Sequence, residues 1–300
     1  MYSRVNGIRD YYQAIMALAI TCQVIAVLGE MPNNRSRRLG AIYEPRLDEI
    51  SGIIVSSVNK DTVWVADDGK SERIFGTSFQ GNVKCEIEFA GKVNDIEDLT
   101  YTLSPEDQSY LVVGDSGDNK LKRKYIQLIA IKEPVLNSSK TPKLEITPQY
   151  RSRIFYPDKV YDSEAIAWDP RSGNFFVFSK EKNGSTVFSV SGDDFWSGKP
   201  DILARKMCRV SASKVSAGDI SRDGKWILLR NEKIGSIWNL SAGSLENSLA
   251  KHPFSRLPVK GKDQAKNGEA IGFTPTADGY ITISEGRNQP LYLFDINLND

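Results

Sequence analysis

Residues 94–101 read Asn-Asp-Ile-Glu-Asp-Leu-Thr-Tyr, and residues 110–119 read Tyr-Leu-Val-Val-Gly-Asp-Ser-Gly-Asp-Asn. A short apolar run therefore begins at a pair of carboxylates, and a second apolar run ends in an acidic, glycine-rich loop. The segment between them, Ser-Pro-Glu-Asp at 104–107, is typical of a turn. Because both runs contain mostly β-branched, aromatic and other apolar residues, the stretch is predicted to form two antiparallel strands.

The same arrangement recurs four more times along the chain. The five inner strands are predicted to open at Glu49, Glu97, Glu164, Ser216 and Glu269. Each unit continues with one or two further strand-like runs, and a four-stranded unit that recurs every ~40–50 residues is typical of a propeller blade. We therefore predict an all-β protein, a β-propeller of four-stranded blades. Five blades fit the pattern. Six blades are the alternative, if the chain contains a degenerate blade that the pattern does not reveal.

The ends of the repeat predict how the ring closes. The unit that begins at Glu269 has room for about three strands before the chain ends. Residues 39–43, Leu-Gly-Ala-Ile-Tyr, are predicted to supply the missing outer strand, which removes an exposed sheet edge. The longest interval between two inner-strand starts, from Glu97 to Glu164, is too short to contain two blades. It therefore predicts a long loop near 134–142. Residues 39–300 are assigned to one propeller domain and residues 30–38 to a linker.

The N-terminal segment has the composition of a targeting sequence. Arg4 and Arg9 precede residues 11–29, which carry no charged side chain. This pattern predicts that residues 1–29 are either a signal peptide or a membrane anchor formed by 11–29, with a soluble N-terminus as a third reading. We therefore expect a secreted or extracytoplasmic protein, or one held at a membrane by this segment.

The overall composition excludes several classes of function. A net charge of +1 gives no basic surface for nucleic acid, so no nucleic-acid partner is expected. His252 is the single histidine of the sequence, which argues against catalysis by a serine–histidine pair. Cys85 and Cys208 fall on outer strands of different blades and are expected to be free thiols. We expect a monomer.

The propeller topology predicts one functional face. The start of an inner strand and the end of the next strand lie at the same end of the central channel, and polar residues occupy both places. The candidates for metal ligation open the inner strands: Glu49, Glu97, Asp98, Glu164, Asp219 and Glu269. The candidates for binding close the second strands: Asp68, Asp115, Asp118, Asn119, Lys180, Glu181, Arg230, Glu285 and Arg287.

Converging carboxylates repel one another unless a bound cation or protons compensate their negative charge. Oxygen ligands at this density suit Ca²⁺, which takes six to eight oxygens in flexible geometry, whereas Zn²⁺ and copper favour imidazole and thiolate. The sequence thus predicts a Ca²⁺ site at the channel mouth. The alternative is that the acids cap strands and pair with Lys180, Arg230 and Arg287.

Three functions remain open at this point. The first is an exported scaffold that binds a protein, a glycan or a small-molecule ligand at the channel mouth. The second is a metal-dependent hydrolase of a phosphoester, ester or lactone, in which Glu97 or Glu164 and metal-bound water are the catalytic groups. In the third, the acids and their metal serve only to lock the blades together.

Several motifs carry a resemblance to a known family. They are Asn-Asp-Ile-Glu-Asp-Leu at 94–99, Gly-Asp-Ser-Gly-Asp-Asn at 114–119, Glu-Pro at 133–134, Asp-Ser-Glu-Ala at 162–165, Ala-Gly-Asp-Ile-Ser at 217–221, Gly-Glu-Ala-Ile at 268–271 and Ser-Glu-Gly at 284–286. Over roughly 45–295 the chain resembles a group of mostly exported, uncharacterised β-propeller proteins, in which the first motif usually reads Asp-Trp-Glu-Asp; here Ile96 replaces the Trp.

More distantly the chain is similar to propellers of the phytase-like esterase and gluconolactonase type, through its architecture and its acidic channel mouth. The nearer resemblance implies the propeller fold and supports export. It implies no particular activity, because a fold alone does not define a function.

Overall fold

The structure is a computed structural model that describes residues 35–69, 73–137, 141–261, 263–265 and 267–298. Its first eleven strands are β1 (Ser36–Ala41), β2 (Ile50–Val55), β3 (Val63–Asp67), β4 (Arg73–Thr77), β5 (Val83–Phe89), β6 (Ile96–Leu103), β7 (Ser109–Asp115), β8 (Ile126–Lys132), β9 (Lys143–Ile146), β10 (Tyr150–Phe155) and β11 (Ser163–Asp169). The next eleven are β12 (Asn174–Ser179), β13 (Ser185–Ser191), β14 (Asp201–Leu203), β15 (Arg205–Val210), β16 (Ala217–Ile220), β17 (Trp226–Arg230), β18 (Gly235–Asn239), β19 (Ser255–Leu257), β20 (Ala270–Phe273), β21 (Gly279–Ile283) and β22 (Pro290–Asp295). Two short helices also occur in the described part, α1 (Gly192–Trp196) and α2 (Leu245–Leu249).

The strands form five sheets arranged as the blades of a propeller. In chain order the blades contain β2-β3-β4-β5-β9, β6-β7-β8-β10-β14, β11-β12-β13-β15, β16-β17-β18-β19 and β20-β21-β22-β1. The innermost strands, β2, β6, β11, β16 and β20, contact one another around a central axis. The prediction of five blades is confirmed, and the six-bladed alternative is excluded.

The ring closes where the two ends of the described chain meet. Strand β1 pairs antiparallel with β22, with Arg37 opposite Leu293, and so supplies the outer strand of the fifth blade as predicted. This strand begins at Ser36, inside the stretch assigned to a linker. The predicted signal peptide or anchor lies outside the described residues. Within the described part, no helix is long and apolar enough to cross a membrane.

Neighbouring blades also exchange edge strands. After β8 the chain leaves the second blade, runs parallel to β5 of the first blade as β9, and returns as β10. Strand β14 in turn runs from the third blade to pair parallel with β10 of the second. This excursion accounts for the long interval in the repeat, which contains β9 as well as the predicted loop.

The core consists of apolar layers between adjacent blades. Side chains alternate across each strand, so Val112 faces the third blade and Val113 faces the first. Both faces of a middle strand are therefore buried, which explains the continuous apolar runs of the sequence. Cys85 is buried on β5 and Cys208 is half-buried on β15, and both are free thiols as predicted.

Glu133 ties the first two blades together at the end of the channel away from the acidic inner-strand starts. Its buried carboxylate accepts hydrogen bonds from Ser56 Oγ, from Ser57 Oγ at 2.8 Å, from Trp64 Nε1 at 2.7 Å and from Ser109 Oγ at 2.6 Å. Burial acts to raise the pKa of Glu133, but these hydrogen bonds outweigh it and hold the pKa below its usual 4.5.

We predict that Glu133→Gln lowers the free energy of unfolding by about 2 kcal/mol at neutral pH, because charge-assisted hydrogen bonds are lost. A carboxylate with a lowered folded-state pKa stabilises the fold fully above its unfolded-state pKa of 4.5 and less as the pH falls through the folded-state value. The difference between wild type and variant is therefore expected to shrink below pH 4.5. Urea unfolding at pH 7 and at lower pH measures both effects.

The matched control is Glu145→Gln, the same substitution at an exposed glutamate of β9. It is expected to change stability by less than about 0.5 kcal/mol. Equal effects of the two substitutions at neutral pH would contradict the assigned role of Glu133.

Candidate functional site

An extra residue at the start of certain inner strands aims carboxylates at the channel mouth. Glu97 lies between two register pairs of β6 and β7, and Glu164 holds the corresponding place between β11 and β12. Such a bulge changes the direction in which a side chain at the end of a strand points. In the first blade the extra residue is Ser51, whereas Glu49 is exposed two residues earlier. The assignment of Glu49 to a metal has no support from this register and stays a prediction.

Five carboxylates meet at this end of the channel, and we call this group the acidic mouth: Asp68, Asp95, Glu97, Glu164 and Glu269. Oxygens of Glu97, Glu164 and Glu269 lie within 4.8 Å of one another, and so do oxygens of Asp68, Asp95 and Glu97. Glu97 belongs to both groups and is only 4% exposed. The acidic mouth is thus a connected set of carboxylates centred on Glu97.

Among the described residues, Lys180 is the cation that forms ion pairs with the acidic mouth. It follows β12, where its N–H donates to the carbonyl of Asp162 at 2.9 Å. Its ammonium contacts Glu164 Oε2 directly and lies 3.5 Å from Glu269 Oε1. Burial acts to lower the pKa of Lys180, but the charge of Glu164 and the hydrogen bond to it raise that pKa overall. Within the described part of the chain, one ammonium group thus contacts two of the three carboxylates Glu97, Glu164 and Glu269, so part of the charge of these three is uncompensated.

Burial, together with repulsion between neighbouring carboxylates, determines the acid–base properties of the group. Burial, followed by repulsion from Glu164, raises the pKa of Glu97 well above 4.5. Burial raises the pKa of Glu164 to about 8, although Lys180 opposes the rise. Burial and the neighbouring Glu269 raise the pKa of Glu285 to about 7. Near neutral pH the group therefore holds protons, or a cation in their place.

The glycine-rich loop after β7 packs directly against these acids. A Cβ atom on Gly117 would lie 2.2 Å from Glu97 Oε1 and 2.3 Å from Asp95 Oδ2. The N–H of Ser116 donates to the carbonyl of Asp95 at 3.0 Å, which holds the loop in place. Asp95 was not among the predicted ligands, although its position two residues before Glu97 in the opening motif was a usable signal.

The fourth blade places a serine in the ring of inner-strand starts. Ser216 precedes Ala217 as Glu164 precedes Ala165, and it is 1% exposed. Its hydroxyl has no hydrogen-bond partner among the described residues. The blade order therefore puts an unsatisfied oxygen between the blades that carry Glu164 and Glu269.

Two predicted metal ligands have a different role. Asp98 is fully buried, and its carboxylate accepts backbone N–H groups of Leu99 at 2.9 Å, Ile166 at 3.1 Å and Gly218 at 3.2 Å. It thereby joins the inner strands of the second, third and fourth blades. Burial raises its pKa well above 3.8. The geometry therefore does not support the prediction that Asp98 is a metal ligand.

Asp219 acts in a similar way one blade further on. Its Oδ2 accepts the N–H of Phe273 at 2.9 Å, which joins the fourth blade to the fifth. Burial raises the pKa of Asp219 to about 7. Asp219 lies on β16 beyond Ser216 and outside the acidic mouth, so its role as a metal ligand stays a prediction without geometric support.

Several predicted binding residues are engaged in the framework around the mouth. Asp115 pairs with Arg123 at 2.7 Å and accepts a hydrogen bond from Gln127 at 2.5 Å. Asp118 accepts two backbone N–H groups, those of residues 122 and 123, and so closes a turn. These two carboxylates position the loop that carries Gly117.

Glu181 and Arg230 are likewise engaged. Glu181 accepts hydrogen bonds from the hydroxyls of Ser179 and Thr186, both at 2.6 Å. Arg230 is buried behind the mouth, where Nη1 donates to the carbonyl of Ala270 at 3.0 Å and burial lowers its pKa to about 10. Both residues brace blades near the mouth.

The remaining predicted binding residues lie at the rim. Asn119 and Arg287 are exposed, and Arg287 Nε lies 3.8 Å from Asp48 Oδ2. Glu285 is half-buried beside Glu269, with which it shares a hydrogen bond. Asn119 lies two residues beyond Gly117 and Arg287 two residues beyond Glu285, so these are the predicted binding residues near the acidic mouth that solvent or a partner can reach.

Among known proteins, only solved structures show a similarity to this chain. No family model matches the chain, and no curated protein matches it. Among solved structures that do match, a crystal structure of a nidogen/laminin complex has a TM-score of 0.44 and 11% identity, and the match covers 78% of this chain and 72% of that chain. Function is therefore interpreted from the geometry of the site itself.

We predict that Glu97→Gln raises the free energy of unfolding by about 1–2 kcal/mol at pH 8 in the presence of EDTA, because it removes a repelled, buried acid. A carboxyl whose pKa is raised on folding costs stability increasingly as the pH rises from 4.5 toward the folded-state value. The gain is therefore expected to be smaller at pH 5. Urea unfolding at the two pH values measures it.

Glu181→Gln is the control on the same face. Burial acts to raise the pKa of Glu181, but hydrogen bonds from Ser179 and Thr186 lower it overall to about 2, so its charged form stabilises the fold. This variant is expected to be destabilised at both pH values. If Glu97→Gln were destabilised at pH 8 to the same degree, the description of Glu97 as a repelled acid would be wrong.

Proposed function

We propose that this protein is an exported, Ca²⁺-binding propeller that serves as a scaffold for a protein or glycan partner at its channel mouth. The observation that carries the proposal is the meeting of five carboxylates around Glu97, two of which contact Lys180. A rigid ring with an excess of negative charge at one end is suited to hold a cation and to present it to a ligand.

The spacing of the oxygens favours Ca²⁺. Two oxygens bound to one Ca²⁺ at ~2.4 Å can lie at most ~4.8 Å apart, and each set of three carboxylates in the mouth meets that limit. All five residues of the mouth offer oxygen, the ligand type that Ca²⁺ prefers. Bound Ca²⁺ would also take the place of the protons that burial and repulsion hold on Glu97 and Glu164.

The partner is proposed from the shape and composition of the rim. Exposed Asn119 follows Gly117 by two residues and exposed Arg287 follows Glu285 by two, so a ligand that reaches the cation is expected also to meet an amide and a guanidinium. Such groups hydrogen-bond the carboxylates of proteins and the hydroxyls of glycans. Partner binding is therefore expected to depend on Ca²⁺.

Export is the part of the proposal that rests on the sequence. It is supported by the uncharged segment 11–29 behind two arginines and by the resemblance to mostly exported propellers. Extracellular modules bind Ca²⁺ with dissociation constants of about 10⁻⁴–10⁻³ M, a range that a site sharing its carboxylates with Lys180 is suited to.

We predict that Ca²⁺ raises the melting temperature of residues 31–300 relative to the protein in EDTA. A ligand at 100 times its dissociation constant adds ~2.7 kcal/mol to the free energy of unfolding, which thermal unfolding detects. The shift is expected to vanish in Glu97→Gln/Glu164→Gln and to persist in Glu181→Gln. Absence of a shift in the wild type, or a full shift in the double variant, would exclude this site.

A glycine pair tests the same site without removing a carboxylate. Gly117→Ala places a methyl group 2.2 Å from Glu97 Oε1 and is expected to weaken Ca²⁺ binding at least about ten-fold. Gly173→Ala is the control, because a Cβ there meets nothing within 4 Å although its φ of +65° strains any side chain. Its Ca²⁺ affinity is expected to match that of the wild type.

A metal-dependent hydrolase is the second candidate. It is favoured by Glu164, whose pKa of about 8 and contact with Lys180 suit a group that exchanges a proton near neutral pH. In this reading Glu97 and Glu164 activate metal-bound water for attack on a phosphoester, ester or lactone.

A screen of these substrates with Ca²⁺ present separates the two candidates. The hydrolase predicts turnover that Glu164→Gln reduces at least about a hundred-fold while the unfolding curve stays cooperative. The scaffold predicts Ca²⁺ binding with no turnover of any substrate class.

A further inference from the structure

The central channel has a second chamber at the end opposite the acidic mouth. A cavity of about 190 Å³ lies where the inner strands end, and it is lined by residues of β2, β6, β11, β16 and β20. On β6, Glu97 opens the strand and Tyr101 lines the cavity four residues later, ~13 Å along the strand. Buried Asp98 lies between the two levels, so this distal chamber is a separate site.

Most of the chamber wall is apolar. The walls include Ile54, Tyr101, Trp168 and Phe273, each from a different inner strand. Leu103 stands at the rim and is 43% exposed, which leaves the chamber open to solvent. Apolar walls contributed by every blade fix the shape of the chamber, because none of the inner strands can move without its neighbours.

One edge of the chamber is polar and is formed by an arginine and an aspartate. The Arg222 guanidinium lies 4.4 Å from the centre of the Tyr101 ring and donates from Nη2 to the carbonyl of Val55 at 2.7 Å. The Asp219 carboxylate lines the same edge and accepts the N–H of Phe273 at 2.9 Å. A guanidinium has five N–H groups and a carboxylate about four acceptor positions, so both can bind a further polar group.

The volume of the chamber and the arginine and aspartate at its edge limit which ligands can bind. An apolar cavity of ~150 Å³ holds one benzene ring, so about 190 Å³ leaves room for one ring with a small polar substituent. Above about pH 7 Asp219 is ionised, although burial raises its pKa to about 7. A charged substituent would then be attracted by one of Arg222 and Asp219 and repelled by the other, and it would lose its hydration. A hydroxyl or amide can both donate and accept, and so can use both side chains without that cost.

We propose that the distal chamber binds an uncharged, single-ring molecule that bears a hydroxyl or amide group. The ring packs against Tyr101, Trp168 and Phe273, and the polar substituent lies at the edge formed by Arg222 and Asp219. This site is independent of the acidic mouth and needs no metal ion.

Phenol is the probe for the test, with toluene as its apolar isostere and benzoate and benzylamine as its charged relatives. Titration of the full chain at pH 8, where Asp219 is ionised, is monitored by ligand-observed NMR. It is expected to show saturable binding of phenol at one site with a dissociation constant of about 0.1–1 mM. Toluene is expected to bind about ten-fold more weakly, and the charged relatives more weakly still.

Two leucines provide a matched pair of variants. Leu103→Trp fills the rim of the chamber and is expected to weaken phenol binding at least about ten-fold. Leu203→Trp makes the same change at an exposed position of β14, away from the chamber, and is expected to leave binding unchanged. Both side chains are exposed, so both variants are expected to fold.

Arg222→Met tests the polar edge separately, because it keeps an apolar wall and removes the donors. It is expected to weaken phenol about ten-fold and to leave toluene unaffected. The proposal is overturned if phenol fails to saturate below about 10 mM, if its binding survives Leu103→Trp, or if benzoate or benzylamine binds more tightly than phenol.

Discussion

Every inner strand of this propeller has one edge that no other strand covers. The N–H and C=O groups of that edge face the narrow channel, where an unpaired polar group is costly. The structure meets this constraint with side chains that cross between blades. Asp98 accepts the N–H groups of Ile166 and Gly218, and Asp219 accepts that of Phe273. The ring depends on these carboxylates together with two hydroxyl groups: Ser51 Oγ donates to the carbonyl of Ile96 at 2.8 Å, and Thr100 Oγ1 accepts the N–H of Trp168 at 3.2 Å.

The same crossings divide the channel into two ends of opposite character. Above Asp98 the bulges at Glu97 and Glu164 aim carboxylates outward into the acidic mouth. Below it the inner strands present aromatic and aliphatic side chains, and the distal chamber forms between them. A buried carboxylate fixed by backbone N–H groups separates the two, so a ligand at one end does not reach the other.

In the acidic mouth, burial and ion pairing have opposite effects on the pKa values of the carboxyl groups. Burial raises the pKa values of Glu97 and Glu164, and Lys180 offsets only part of that effect for Glu164. The surrounding framework is arranged differently, since Glu181 gains enough hydrogen bonds to lower its pKa. The carboxylates on this face thus fall into two groups. Those of the framework stabilise the ring, whereas those of the acidic mouth carry negative charge that a cation or a proton compensates. The second group is the basis of the proposed Ca²⁺ site.

The strand repeat in the sequence determined the five blades, the closure by the segment near Leu39 and the end of the channel where Glu97, Glu164 and Glu269 meet. Each follows from local alternation and from the reversal of direction between paired strands. Only the tertiary structure decided that Ser51 replaces Glu49 in the ring, that Asp98 binds backbone, and that a distal chamber exists. A one-residue bulge changes which side chain faces the axis, and a cavity depends on five strands at once. Neither is encoded within a single repeat.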